Sequence, residues 1–301
     1  MEIRQRPGGV SALLDHPPPG GTIALAWLGQ AGFALRTPGA LLLIDPYLSD
    51  SLAVKYRGRE FPHRRMMPVP VEPEALNAVA WVLCTHGHGD HMDPGTLPAI
   101  ASASPRCRFL VPRAEIARAE QIGLPKTRTF GVGAGERRPL GARIEALAVA
   151  AAHETIDTDD RGHSRYLGFV LRIGPLAIYH SGDTVPYDGL AERIGAAGID
   201  LALLPVNGRD EHRRSRGVLG NMTFDEAAEL CRAAGVPWML AHHFGMFDFN
   251  TVAPDELRRR AAGLPAPPRC IVPDLNTVYE LSGGRVTASP AASRRRPGPG
   301  P

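Results

Sequence analysis

The chain has 301 residues, 44% of them hydrophobic, and a formal net charge of +3 from 34 Lys and Arg against 31 Asp and Glu. Arg294, Arg295 and Arg296 in the final "SRRRPGPGP" account for that whole surplus, so the body is neutral and bulk charge gives no reason to expect nucleic acid or a membrane as partner. The length suits one large α/β domain with a substantial core.

The N-terminal "MEIRQRPGGVSALLDHPPPGG" contains no apolar signal region. No later stretch approaches the roughly 18 apolar residues of a membrane span. Residues 22–29, 31–37 and 40–47 read as consecutive strands separated by Gly/Pro turns. Residues 80–85, "AWVLCT", read as a buried strand, followed by a helix over 93–104, a strand over 108–112 and a helix over 112–122. Strands over 143–150, 167–173 and 176–183 precede a helix over 188–198 and a strand over 200–206. A helix over 223–235 opens with Thr223 and Glu226 spaced as a capping box. A strand over 238–243, a helix over 254–263 and a strand over 269–274 complete the pattern. No Pro/Ser linker divides it, so residues 1–285 read as one α/β domain with two sheets between outer helices, and 286–301 as a disordered Arg/Pro/Gly tail. The four cysteines, Cys84, Cys107, Cys231 and Cys270, form no CxxC pair. They read as reduced core thiols of a cytoplasmic protein.

The segment "THGHGDHMD", Thr85 to Asp93, packs His86, His88, Asp90, His91 and Asp93 behind an apolar strand. A strand ending at Thr85 delivers His86 and His88 to the same side, because side chains alternate with period two. Gly87 and Gly89 leave room for a tight path, and Asp90 and His91 fall in the following turn. One divalent ion needs three or four protein ligands, and this loop alone offers four, which suits two adjacent ions better than one. Further ligands are expected at other strand ends. "ALAVAAAHE" ends in His153, "LAIYHSGDT" in Asp183, and "WMLAHHFG" in His242 and His243.

The order HxHxDH, His, Asp, His, each at a strand end, resembles the metallo-β-lactamase superfamily over about residues 22–280. That resemblance implies an αββα sandwich with a dinuclear centre at one edge. Carried over, His86, His88 and His153 hold one metal, Asp90, His91 and His243 the other, and Asp183 bridges both. His243 is preferred to His242 because the last histidine of the family commonly precedes an aromatic-Gly pair, here Phe244-Gly245. The implied cofactors are two divalent ions, Mn or Zn, with Fe also compatible with this donor set. The implied chemistry is attack by a metal-activated hydroxide on a carbonyl or phosphorus, with Asp90 and Asp183 as the catalytic carboxylates.

Seven blocks resemble a subgroup containing L-ascorbate-6-phosphate lactonase: "WLGQAGF", "LLIDPYLSDS", "THGHGDHMDP", "YHSGDT", "LLPVNGRD", "GNMTFDEA" and "AHHFGMFDFNT". That likeness implies a small-molecule substrate, a phosphorylated sugar lactone, and assembly into homo-oligomers. For the phosphate, the loop "NGRDEHRRSRGVLGNM" offers Asn207, Arg209, Arg213, Arg214, Arg216 and Asn221, and the segment after His153 offers Arg165 and Tyr166. Arginine suits the task because its planar fork gives paired, charge-assisted hydrogen bonds. The alternatives are a phosphodiesterase or nuclease on the same metals, or a non-catalytic, metal-stabilised binding protein. The neutral body weighs against a nuclease, and retention of every expected ligand weighs against a binding protein.

Overall fold

A computed structural model describes residues 1–283. The end of the expected domain, 284–285, and the Arg-rich tail at 286–301 lie outside the described residues. In chain order the strands are β1 (Glu2–Pro7), β2 (Thr22–Gly29), β3 (Gly32–Arg36), β4 (Leu41–Ile44), β5 (Val79–Leu83), β6 (Arg108–Pro112), β7 (Thr129–Val132), β8 (Arg137–Gly141), β9 (Ile144–Ala150), β10 (Leu167–Ile173), β11 (Leu176–His180), β12 (Leu201–Pro205), β13 (Trp238–His242), β14 (Arg269–Ile271) and β15 (Thr277–Ser282). The helices are α1 (Gly9–Asp15), α2 (Ser51–Lys55), α3 (Leu97–Ala103), α4 (Ile116–Gln121), α5 (Leu190–Ala196), α6 (Glu211–Arg214), α7 (Phe224–Ala233) and α8 (Pro254–Gly263).

The strands form two mixed sheets. One runs β1-β15-β2-β3-β4-β5-β6-β7 and the other β14-β13-β12-β11-β10-β9-β8. Period-two alternation divides each central strand between two apolar environments. On β2, Ile23, Leu25 and Trp27 face the core between the sheets, with Phe33, Leu83, Phe169 and Leu203. Ala24, Ala26 and Leu28 face the other way, toward Leu13 of α1 and Ile100 of α3. Against the outer face of the second sheet, α7 packs Phe224, Ala227, Leu230 and Cys231, continuous with the same apolar cluster. This is the layered α/β architecture that the sequence pattern anticipated, with helices outside two stacked sheets.

The capping box forms as read. Glu226 N–H donates to Thr223 Oγ1 (3.3 Å) and Thr223 N–H donates to Glu226 Oε2 (2.9 Å). Several boundaries differ from the sequence reading. β5 stops at Leu83, two residues short: Cys84 N–H still donates to Leu110 O of β6 (2.9 Å), but Thr85 N–H turns to the Asp45 carboxylate (2.7 Å). β11 stops at His180 rather than Asp183, because Ser181 and Gly182 turn the chain there and Gly182 takes a left-handed φ of 62°. The helix expected from 93 begins at Leu97, since Asp93 is a turn residue whose carboxylate gathers Ser49, Ser51 and Thr96. β1, β7, β8, β15, α1 and α2 carry weak periodicity and were not anticipated. All four cysteines are free, three of them buried.

β9, β11 and β13 run in one direction in the second sheet, since β10 is antiparallel to both β9 and β11, and β11–β12–β13 are parallel. β4 and β5 are parallel in the first sheet. The loops after β4, β5, β9, β11 and β13 carry the residues that meet at the candidate site.

Candidate metal centre

Side chains from five loops converge beyond these strand ends. His86, His91 and Asp183 offer donor atoms within 4.8 Å of one another, and so do Asp90, His91 and His243. Asp183 is central: Oδ1 lies 3.4 Å from His91 Nε2, and Oδ2 lies 3.2 Å from His243 Nε2 and 3.8 Å from His153 Nε2. The His88 ring lies 4.6 Å from that of His86 and 5.3 Å from that of His153. All seven ligand candidates therefore meet, although His88 and His153 stand outside the two tightest groups and His91 belongs to both. His86 and His88 do not share a strand face; they sit on a bend, His86 buried and His88 exposed.

The hydrogen bonds fix which ring nitrogen faces inward. Asp45, fully buried, accepts from Thr85 N–H (2.7 Å), Thr85 Oγ1–H (2.6 Å) and His91 Nδ1–H (2.7 Å). With its own proton given to Asp45, the Thr85 hydroxyl accepts from His86 Nδ1–H at 3.0 Å. His153 Nδ1–H donates to Gly220 O at 3.2 Å. His86, His91 and His153 thus each turn Nε2 toward Asp183. Such outer partners orient metal-ligating imidazoles and set their basicity.

His86 Nε2, His91 Nε2 and Asp183 Oδ1 are buried with no hydrogen-bond partner among the described residues. Buried polar atoms are nearly always satisfied, so three orphans converging on one point mark a site for a cation. The donor set fits a divalent ion. Burial holds His86 well below the ordinary histidine pKa and His153 at about 4, so both are neutral at pH 7, the form that ligates. Burial opposes the charge on His91, but Asp183, Asp45 and Asp90 together outweigh it and raise its pKa. Burial likewise opposes ionisation of Asp183, yet His243 and His91 hold it well below the usual carboxylate range.

Gln30 was missed by the sequence reading and has a place here. It sits at the tip of the β2–β3 hairpin at φ 50°, where Trp27 Nε1–H donates to its carbonyl (3.0 Å). Its side-chain amide donates to Asp90 Oδ2 (2.8 Å) and lies 3.1 Å from His243 Nε2. His243 is itself left-handed, φ 62°, and so are Asp45 and Glu154. Non-glycine residues in this region cost on the order of 1–3 kcal/mol each and gather where a site over-determines the backbone.

His242 points elsewhere. It is fully buried, stacks on His180 (centroids 4.8 Å, 12° between planes), and neither ring nitrogen has a hydrogen-bond partner among the described residues. His180 donates from Nε2 to Ala31 O (2.8 Å) and is a core histidine. Removing unpaired buried polar atoms is nearly neutral when shape is kept. His242→Leu is therefore expected to change stability by less than about 1.5 kcal/mol and to leave bound metal unchanged, whereas His243→Ala depletes it. Elemental analysis and melting curves on the two variants check this; depletion in His242→Leu with full metal in His243→Ala would reverse the two histidines.

The profile of the β-lactamase superfamily domain matches residues 41–244, from β4 to just past the last ligand candidate. The chain belongs to the metallo-β-lactamase superfamily. A UPF0173 metal-dependent hydrolase of Myxococcus xanthus (strain DK1622) is 28% identical over 287 residues, covering 89% of this chain and 91% of the relative. Another, of Rubrobacter xylanophilus, is 31% identical over 255 residues, covering 81% and 90%. Among solved structures, an isothiocyanate hydrolase from Delia radicum gut bacteria superposes with a TM-score of 0.66 at 19% identity, covering 85% of this chain and 97% of that one. A metallo hydrolase from Ignicoccus hospitalis gives 0.61 at 19% identity, covering 87% and 99%. CmlA, a diiron β-hydroxylase from Streptomyces venezuelae, gives 0.58 at 18% identity, covering 89% and 55%. The same fold thus carries both hydrolysis and oxidation in its neighbours, and the reaction must be argued from the site.

The centre forms the floor of a cleft of about 810 Å³. Its walls come from the α2 segment (Leu52, Lys55, Tyr56, Phe61), from Arg118 of α4, and from Arg216 to Leu219, with Phe247 and Asn250. The arginine loop contributes less than the sequence suggested. Arg209 is committed to Glu226 by two hydrogen bonds (2.7 and 2.6 Å) and, with Arg214, lines a separate recess. Arg213 is buried and holds Asp210 (2.6 Å) and Asn250. Arg214 pairs with Glu154 at 3.1 Å. Asn207 and Asn221 are buried and bonded to one another (3.2 Å), and Asn207 also donates to Asn250 (2.7 Å). These five brace the loop instead of lining the metal cleft, and only Arg216 of that loop's arginines reaches it. Arg165 lies between Glu115 (3.5 Å) and Asp157 (3.7 Å). Tyr166 places its hydroxyl 3.5 Å from His88 Nε2 and its ring 5.0 Å from that of His86.

Proposed function

We propose that the chain is a metal-dependent hydrolase that opens a phosphorylated sugar lactone, of the L-ascorbate 6-phosphate kind, in the cleft above the His/Asp cluster. The observation that carries the reading is the convergence of three buried ligand atoms, unpartnered among the described residues, beneath a cleft of about 810 Å³ whose lining includes Asp183. That volume is in the range of small-molecule sites, which supports a lactone over a nucleic-acid strand. The seven sequence blocks supply the lactone. Eight relatives at 28–31% identity all carry the name metal-dependent hydrolase, in keeping with the reaction type.

His86, His88, His153 and Asp183 would hold one divalent ion, and Asp90, His91, His243 and Asp183 a second, a donor set compatible with Mn, Zn or Fe. Such a pair supplies, when bound, Lewis-acid polarisation of an ester carbonyl and a water acidic enough to attack it at neutral pH. The chain's own contribution is orientation. Asp45, Thr85 and Gly220 O fix the imidazole tautomers, Gln30 holds Asp90 against His243, and Asp90, partly exposed on the cleft floor, stands where it can accept a proton from the attacking water. Tyr166, whose hydroxyl lies 3.5 Å from His88 Nε2, would donate to an oxygen of the substrate.

No helix among the described residues is long and apolar enough to cross a membrane. A cytoplasmic site of action, a reduced thiol set and a homo-oligomer belong to the same proposal. Purified protein is expected to carry close to two divalent ions per chain, and chelation to abolish lactone opening and restore it on adding Mn or Zn. Turnover of a phosphorylated aldonolactone is to be compared with that of a bis-aryl phosphodiester. Hydrolysis of the diester alone would hand the site to the phosphodiesterase reading, and full activity with one ion would sink the dinuclear scheme.

A further inference from the structure

Apart from the ligand candidates, the charged groups lining the cleft are Lys55, Arg59, Arg118 and Arg216 against one carboxylate, Glu60. Glu60 is taken by Arg216, at 2.8 Å. Lys55, Arg59 and Arg118 form no ion pair with a carboxylate among the described residues; Lys55 rests over the Tyr56 ring, 4.8 Å from its centroid. Lys55 and Arg59 therefore have no carboxylate in ion-pair contact among the described residues, while Arg118 has the half-buried Glu115 beside it, whose ion-pair partner is Arg165 at 3.5 Å. The arginines of the loop at 209–214 are in the opposite condition, each bound to an acid.

Of the three, Arg118 is built into the site. The α4 helix lies against the ligand loop so closely that a Cβ at Gly87 would meet the Glu115 carboxylate and fall 2.8 Å from Arg118 Cδ. Glycine at 87 is what lets this side chain lie there, beside His88, whose protonation its charge disfavours. Arg118 Nε is buried without a hydrogen-bond partner among the described residues. An unpaired buried guanidinium nitrogen is costly, and Arg118 lines the cleft on the His88 side of the metal cluster.

We propose that Arg118, assisted by Lys55 and Arg59, forms the anion site of this cleft, and that the group it takes is a phosphate monoester carried on the substrate. The proposal rests on the hydrolase reading for the position of the reacting bond and replaces the loop at 209–216 as the phosphate contact. Three cations lining one cleft, none of them in an ion pair among the described residues, match a phosphate monoester, with about −1.5 to −2 charges at neutral pH, better than a singly charged carboxylate. Arginine's fork meets two phosphate oxygens at once, while lysine contributes a point charge.

Calorimetric titration of the metal-loaded full chain with D-glucose 6-phosphate, D-glucuronate and D-glucose tests this without turnover. The phosphate sugar is expected to bind more tightly than the carboxylate sugar. Arg118→Ala is expected to weaken glucose 6-phosphate binding by about 10- to 100-fold, the scale of one or two charge-assisted hydrogen bonds. Arg118→Lys should retain part of the affinity, and Arg137→Ala, paired with Glu145 far along the second sheet, should retain all of it. Unaltered affinity in Arg118→Ala with an unchanged melting temperature overturns the proposal, as does equal binding of glucuronate and glucose 6-phosphate. A protein that opens no lactone yet loses the sugar phosphate through Arg118→Ala keeps the anion site and discards the lactone. A protein that opens the lactone but binds sugar phosphate identically in Arg118→Ala keeps the lactone and discards the anion site.

Discussion

Asp183→Asn is expected to lower kcat by at least about 10³-fold, roughly 4 kcal/mol of transition-state stabilisation, and to leave the protein with less than half its divalent metal. The expectation follows from position. Asp183 stands among three imidazoles, with one oxygen 3.4 Å from His91 and the other 3.2 Å from His243 and 3.8 Å from His153. His91 and His243 stabilise its charge strongly enough to hold the carboxyl ionised despite full burial. Asparagine keeps the shape but removes the charge, and its amide nitrogen presents hydrogens where a second lone pair is needed. Because the replacement is isosteric, the fold should survive and melting should shift little. Metal content is the readout that needs no knowledge of the substrate. A variant with wild-type metal content and turnover within tenfold would show that Asp183 orients histidines without bridging anything.

The core of the site was legible because ligands at strand ends announce themselves. His86, His153, Asp183 and His243 each follow an apolar run too long to be surface, and a charged or imidazole group at the end of such a run must find a partner. The helix at 223–233 was legible for a local reason, the reciprocal Thr223–Glu226 cap in front of an apolar stripe at 224, 227, 228 and 231. The cleft walls were not legible. Lys55, Arg59 and Arg118 are ordinary cations in polar segments, and only the tertiary path brings α2 and α4 over the ligand loop. The arginine loop misled for the complementary reason. Arg209, Arg213 and Arg214 look free in sequence, but their acids, Glu226, Asp210 and Glu154, are supplied in part from elsewhere in the chain. Boundaries such as the early end of β5 depend on Asp45, forty residues before Thr85, and no window on the sequence contains both.

Asp45 also carries the second large expected effect. It lies in "LLIDPY", directly after β4, fully buried at φ 44°, and ligates nothing itself. Three donors end on it: Thr85 N–H, Thr85 Oγ1–H and His91 Nδ1–H, at 2.6–2.7 Å. Through His91 it fixes one inward Nε2 directly. Through the Thr85 hydroxyl it fixes a second on His86, because that hydroxyl has its proton committed to Asp45 and can only accept. Asp45→Ala leaves all three donors buried and unpaired, at a cost of roughly 3–5 kcal/mol of stability, and frees both imidazoles to turn. Metal affinity should fall about 10- to 100-fold, the usual consequence of losing such an outer partner. Asp45→Asn separates the two effects. It refills the space, so less stability is lost, but a neutral amide cannot accept from all three donors and its own N–H₂ opposes His91 Nδ1–H, driving His91 to the other tautomer with its proton on Nε2. Metal affinity should therefore fall nearly as far in Asp45→Asn as in Asp45→Ala, while the melting temperature of the Asn variant stays closer to wild type. Equal metal affinity in wild type and Asp45→Asn would mean that the imidazoles are held by packing alone, and that the charge on Asp45 plays no part in presenting them.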